Sequence, residues 1–127
     1  MKNSILYLDD EPEVLAVFRD MFGGEYDVTT AATAAEARRA LSERPADIVI
    51  SDQAMPDILG TEFLAEVARD YPRAFRVMLT GSMTVGGALP ELGNGVVQLF
   101  VAKPWDSAGM RRMLERAALH LELRRAE

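Results

Sequence analysis

The stretch IVISDQAMPDILG, residues 48–60, decides how this chain is read. Ile48 to Ser51 are apolar or small, the composition of a strand buried on both faces, as in a parallel sheet covered by helices. The run ends on a carboxylate, Asp52, and a Met-Pro turn and a glycine follow. A buried, unpaired carboxylate is costly, so Asp52 needs either a partner or a chemical role.

Working outward from this stretch, strands and helices alternate. Ser4 to Leu8 (SILYL) reads as a strand, and Val14, Leu15, Phe18 and Phe22 then recur at helical spacing. Pro12 falls in the first turn, where it is tolerated, and Gly23-Gly24 closes the helix. Asp27 to Ala31 (DVTTA) is a more polar strand, expected at a sheet edge. Thr33 and Glu36 have capping-box spacing at the head of a second helix that runs to about Ser42. The third strand is expected over Asp47–Ser51. A third helix buries Phe63, Leu64 and Val67 and stops before Pro72. Phe75–Leu79 and Val97–Val101 are the fourth and fifth strands, and Asp106 caps a final helix with the stripe Met110, Met113, Leu114, Ala117 and Leu121. Repeated βα units imply an α/β fold, a doubly wound five-stranded parallel sheet with helices on both faces.

The 127 residues make one domain, able to bury roughly two-thirds of its unfolded-chain surface. We place that domain at residues 1–121, with 122–127 as a helix extension or the start of a linker. There are no cysteines, so disulfide and thiolate chemistry are excluded, in keeping with a cytoplasmic location. The first apolar run is too short for a signal peptide, and none is long enough for a membrane span. A net charge of −6 disfavours direct nucleic-acid binding and is compatible with a metal cation or a basic partner.

In such a sheet, ligands gather beyond the carboxyl ends of the strands. Strand one ends in Asp9-Asp10-Glu11, strand three in Asp52, strand four in Thr80-Gly81 and strand five in Lys103-Pro104. Clustered carboxylates need a neutralising cation, and an all-oxygen ligand set suits Mg²⁺. A cation held by Asp9 and Asp10 would also touch Asp52, leaving its other oxygen as a nucleophile. A transferring phosphoryl group needs positive charge and donors around it, which Lys103 and the Thr80 hydroxyl would supply.

LDDEPEVL, SDQAMPDILGTEFL, MLTG and FVAKPW, in that order and spacing, resemble the receiver domain of two-component response regulators across nearly the whole chain. The resemblance implies a flavodoxin-like sheet of order 2-1-3-4-5. It implies that Asp52 stands exposed at the sheet edge, where it accepts a phosphoryl group from the phosphohistidine of a histidine kinase or phosphotransfer protein. Asp10 would bind Mg²⁺ directly and Asp9 largely through water, with the Ala54 carbonyl as a further ligand. Thr80 would be the switch hydroxyl, Phe100 the switch aromatic that turns inward on activation, and Lys103 the phosphoryl-binding lysine ahead of a cis proline. Such a domain catalyses only its own phosphorylation and dephosphorylation. It signals through the face made by the helix before the fifth strand, that strand and the final helix, to an output domain, a partner or a second copy. The KPW signature is similar to receivers fused to output modules.

Bland readings exist for each residue. Asp9, Asp10 and Glu11 suit the positive end of a helix, Lys103 a solvated strand end, Thr80 a turn and Phe100 a core. They do not account for Asp9, Asp10, Asp52, Thr80 and Lys103 together at four strand ends. Aspartyl-nucleophile phosphohydrolases place a D-x-D at the end of strand one, and flavin modules a Ser/Thr/Gly-rich loop there; this chain has adjacent acids instead. A degenerate receiver that binds partners without phosphate remains as the alternative. Ala54 and Ser82 occupy positions that tune phosphoryl lifetime in the family. Gly86, Gly87 and Pro90 make a short or frayed helix the expectation over 84–92. Leu119 and Leu123 form a stripe off the core face, His120 is expected at the rim, and the methionines as core filler.

Overall fold

The computed structural model describes residues 2–81 and 95–125. Five strands, β1 (Ser4–Leu8), β2 (Asp27–Ala31), β3 (Ile48–Asp52), β4 (Phe75–Thr80) and β5 (Leu99–Ala102), form one parallel sheet of order β2-β1-β3-β4-β5. The described helices are α1 (Pro12–Phe22), α2 (Ala34–Glu43), α3 (Gly60–Asp70) and α4 (Ser107–Arg125). The doubly wound, flavodoxin-like arrangement is therefore present, with the polar β2 at an edge as expected. The frayed helix expected over 84–92 lies outside the described residues.

Strand periodicity sorts the core into two layers. Ile5, Tyr7, Ile48, Ile50, Val77 and Leu79 pack with Phe18 and Phe22 of α1 and Met110, Leu114 and Ala117 of α4. Leu6, Leu8, Val49 and Met78 face the other way, against Ala37 and Leu41 of α2 and Phe63, Leu64 and Val67 of α3. Strands buried on both faces cannot alternate apolar with polar, which is why β1 and β3 read as continuous apolar runs.

The helix starts follow local chemistry. Thr33 Oγ1 accepts the Glu36 N–H at 3.1 Å, while Glu36 reaches back to the Ala32 N–H at 2.9 Å, one residue earlier than a standard capping box. Asp106 Oδ1 accepts the Gly109 N–H at 2.6 Å and so caps α4 as expected. Of the methionines, Met55, Met78, Met110 and Met113 are core residues, but Met21 is 42% exposed on α1 and is not filler.

Three strands differ in their bounds from the sequence reading. β3 is shifted by one residue to Ile48–Asp52, β4 runs on to Thr80, and β5 is Leu99–Ala102, not Val97–Val101. The late start of β5 has a cause in Arg76, a buried residue of β4. Its guanidinium donates to the carbonyls of Val96 (2.8 Å), Gly95 (3.0 Å), Ala74 (2.7 Å) and Pro72 (3.2 Å). The chain entering β5 is thus held by a side chain before the ladder takes over. Burial, with the nearby charge of Arg124, lowers the pKa of Arg76 from its usual value. A lysine offers three donors from one point and cannot span these acceptors. Arg76→Lys is expected to cost about 1–2 kcal/mol in urea unfolding, because buried carbonyls lose their donors. Wild-type stability in that variant would refute the clamp.

Candidate functional site

The order reversal between β1 and β3 opens a crevice at the carboxyl edge of the sheet. Asp9 stands just past β1, its N–H on the Ala31 carbonyl at 3.1 Å, so β1 is effectively prolonged to carry the side chain inward. It is fully buried, whereas Asp10 points to solvent. Asp52, the last residue of β3, pairs with Leu79 of β4. Carboxylate oxygens of Asp9, Asp10 and Asp52 all lie within 4.8 Å of one another.

Lys103 closes the site from the far side. Its N–H is fixed on the Thr80 carbonyl at 2.9 Å, and its peptide bond to Pro104 is cis, as the resemblance implies. The ammonium lies 3.1 Å from Asp52 Oδ2, 3.2 Å from Asp9 Oδ2 and 3.5 Å from Glu11 Oε1. Asp52 Oδ1 accepts the Ala54 N–H at 3.4 Å. The expectation that Asp52 is exposed at the sheet edge is corrected: it is only 5% exposed. Because β3 continues through Asp52, the carboxylate is carried in under Lys103, and the lysine offsets part of the cost of burying it.

The electrostatics follow from this packing. Burial raises the pKa of Asp52, Lys103 partly offsets that, and the Asp9 charge adds to the rise. Burial works against the Lys103 ammonium, but its bonds to Asp52 and Asp9 prevail and hold its pKa above the ordinary value. Burial likewise pushes the Tyr7 phenol far above its usual range, with a lowering contribution from Trp105 and a raising one from Asp9.

The other residues singled out from sequence take distinct places. Thr80 ends β4, buried, in register with Ala102 and next to Lys103. Ala54 is exposed and forms an isolated bridge with Leu59. Phe100 is half-buried on β5, packed on the core layer of α2 and α3. His120 is exposed, its ring 5.0 Å from that of Phe75. Leu119 and Leu123 are exposed on α4, off the core face.

Three residues around the site were not singled out. Tyr7 Oη lies 3.3 Å from Asp9 Oδ2, and Trp105 Nε1 donates to Tyr7 Oη at 3.1 Å. A tyrosine in an otherwise apolar buried strand was the available signal, since a buried hydroxyl needs a partner. Gln53 also serves the site's framework: its carbonyl accepts the Gly60 N–H at 3.0 Å and its side chain the Thr61 N–H at 2.9 Å, tying the start of α3 to the chain leaving Asp52.

The carboxylates of Asp9, Asp10 and Asp52 cluster here, and the Lys103 ammonium pairs with Asp9, Asp52 and Glu11. That surplus of negative charge, with an all-oxygen donor set of one solvent-facing and two buried carboxylates, fits a hard divalent cation better than a transition metal.

The family model for the response regulator receiver domain matches residues 5–115. The transcriptional regulatory protein KdpE of Mycobacterium tuberculosis is 34% identical over 113 residues, covering 88% of this chain and 48% of KdpE. The hydrogenase transcriptional regulatory protein HoxA of Cupriavidus necator is 29% identical over 102 residues, covering 80% of this chain and 21% of HoxA. Among solved structures, the signal receiver domain of an HD domain-containing protein from Pseudomonas fluorescens superposes with a TM-score of 0.89 at 26% identity, covering 99% of this chain and 93% of that one. The chemotaxis response regulator CheY4 of Vibrio cholerae gives 0.83 at 26%, covering 92% and 99%. The chain spans less than half the length of these transcriptional regulators.

Proposed function

The chain belongs to the response regulator receiver domain family, and from that premise we propose that it is a switch controlled by phosphorylation of Asp52. The observation that carries this reading is the pairing of Asp52 with Lys103 at 3.1 Å inside a cluster of three carboxylates. A nucleophile, a counter-charge and a cation-binding donor set meet at one point.

In this reading an Asp52 carboxylate oxygen attacks the phosphorus of a phosphohistidine. The new bond is P–O, the P–N bond breaks, and the imidazole leaves with its electron pair. Lys103 passes from the carboxylate to a phosphoryl oxygen, and the Thr80 hydroxyl moves to another; both contacts favour the charge spread over those oxygens. Asp9, Asp10, Asp52 and the Ala54 carbonyl would hold Mg²⁺, which when bound supplies positive charge to the same oxygens. Movement of Thr80 vacates room toward which Phe100 turns inward, and the change is read on the face around β5 and α4.

The donor is a histidine kinase or phosphotransfer protein, and the switch acts on an output domain, a partner or a second copy. No helix among the described residues is long and apolar enough to cross a membrane. A cytoplasmic domain over 1–121, continued from residue 122 by an extension of its last helix or the start of a linker, that neither binds nucleic acid itself nor turns over a separate substrate completes the reading.

Intact mass after incubation with acetyl phosphate tests it. We expect one phosphoryl adduct on the wild type with Mg²⁺, and none with EDTA or in Asp52→Asn. An adduct that persists in Asp52→Asn would refute the assignment. No adduct on the wild type, from acetyl phosphate or from a panel of phosphorylated kinases, would favour the phosphate-independent binding module.

A further inference from the structure

A chain of hydrogen bonds reaches the acidic site from the outside of the fold. Trp105 Nε1 lies 3.1 Å from Tyr7 Oη, which lies 3.3 Å from Asp9 Oδ2. Its direction is set by chemistry. An indole N–H only donates, so Trp105 gives its proton to the phenol oxygen. The phenol then has one proton to give, and an ionised carboxylate only accepts. The order is therefore indole to phenol to Asp9.

Asp9 is held from three sides. Tyr7 of β1 and Lys103 past β5 both bond Oδ2, the lysine at 3.2 Å. The Glu11 N–H, at the head of α1, bonds Oδ1 at 3.0 Å. A fully buried carboxylate bonded by three separate segments has its plane and position determined.

Packing alone does not ask for these polar tips. The Tyr7 ring meets the Phe18 ring edge-on at 4.7 Å, and the Trp105 ring meets that of Phe18 at 6.1 Å. Two phenylalanines would serve such contacts. What the hydroxyl and the indole N–H add is one connection, and it ends on Asp9. Its outer end, Trp105, forms the wall of an apolar groove of about 490 Å³ between α1 and the turn into α4, with Val14, Val17, Met21 and Pro104.

We propose that Tyr7 and Trp105 are positioning residues for the cation site: their hydrogen bonds hold Asp9 where a divalent cation needs it and tie that site to the wall of the α1 groove. The inference rests on the cation-binding reading above. Groups behind a metal-binding carboxylate commonly matter for affinity nearly as much as the ligand itself. Trp105 is the sole tryptophan, so its emission reports the state of the chain.

The test is Mg²⁺ titration of four proteins, followed by calorimetry and, where Trp105 is kept, by its fluorescence. Wild type should bind Mg²⁺ with a change in emission. Tyr7→Phe keeps the ring and should bind about ten-fold more weakly, with the emission change lost even at saturation. Trp105→Phe, read by calorimetry, should weaken binding in the same direction. Phe18→Leu removes the packing but keeps the hydroxyl; it should melt at lower temperature and keep wild-type affinity and emission change. Wild-type affinity in Tyr7→Phe, or an equal loss in Phe18→Leu, overturns the positioning role while leaving the cation site standing. Absence of Mg²⁺ binding in the wild type removes the site and the proposal together.

Discussion

Asp52→Asn is expected to take up no phosphoryl group and yet to be more stable than the wild type. The first half follows from chemistry. An amide keeps the shape of the carboxylate, and its single oxygen can still accept the Lys103 bond, giving up only the longer bond from the Ala54 N–H at 3.4 Å, but it has no anionic oxygen to attack phosphorus. The second half follows from the site's electrostatics. Asp52 is buried beside the fully buried Asp9, and burial followed by the Asp9 charge raises its folded-state pKa despite Lys103. A carboxyl group whose pKa is higher folded than unfolded binds its proton more tightly when folded. Its ionised form therefore weakens the fold above the folded-state pKa. That penalty fades as pH falls, and is gone below the unfolded-state value. Lys103 keeps its bond to Asp9 at 3.2 Å in the variant, so the ammonium is not stranded. We expect a gain of about 1–2 kcal/mol at neutral pH without divalent cations, in line with replacing buried charge by neutral groups of like size. For a domain of this size that is a rise of roughly 3–8 °C in Tm. Melting in EDTA at neutral pH, and again near the ordinary carboxylate pKa, checks both sign and pH dependence. An Asp52→Asn protein that melts below the wild type at neutral pH would show that Lys103 outweighs burial.

Gly60→Ala should lose about 3 kcal/mol of stability, a large cost for one methyl group. An alanine is ordinarily favoured over glycine in a helix by about 1 kcal/mol. Here a Cβ on residue 60 would lie 2.8 Å from Gln53 Cα and 3.0 Å from the Asp52 carbonyl carbon, and would overlap the Asp52 carbonyl oxygen. These are backbone atoms and cannot swing aside. The same backbone is bonded to the start of α3 through the Gly60 N–H on the Gln53 carbonyl at 3.0 Å. Relief of the clash must move either α3 or the peptide of Asp52 itself. We therefore expect a lower urea midpoint together with phosphorylation slowed at least about ten-fold, since catalysis is sensitive to small displacements of the nucleophile. Gly81→Ala is the control: nothing lies within 4 Å of a Cβ there, and stability should be close to wild type. Equal stabilities for Gly60→Ala and wild type would refute the close approach.

Much of this was legible in the chain because it depends on short-range pattern. Fully buried strands must be apolar on both faces, so β1, β3 and β4 showed themselves as runs. The caps at Thr33 and Asp106 are local bonds over three residues and were readable for that reason. Asp9, Asp10, Asp52 and Lys103 were found because a parallel sheet brings the carboxyl ends of its strands to one edge. Arg76 was not found, since two of its four acceptors, the carbonyls at 95 and 96, are about twenty residues away and any side chain has access to carbonyls. Tyr7 and Trp105 escaped for the same reason, being 98 positions apart.

The sequence by itself determined the order of elements, the parallel sheet and the identity of the charged groups at its edge, because those follow from periodicity and local bonding. Only the tertiary structure decided that Asp52 lies covered rather than exposed, that Lys103 bridges it to Asp9, that Gly60 has no room for a methyl, and that an indole and a phenol stand behind the acidic site. Burial, distance and donor direction are properties of groups brought together from remote parts of the chain, and no local pattern carries them.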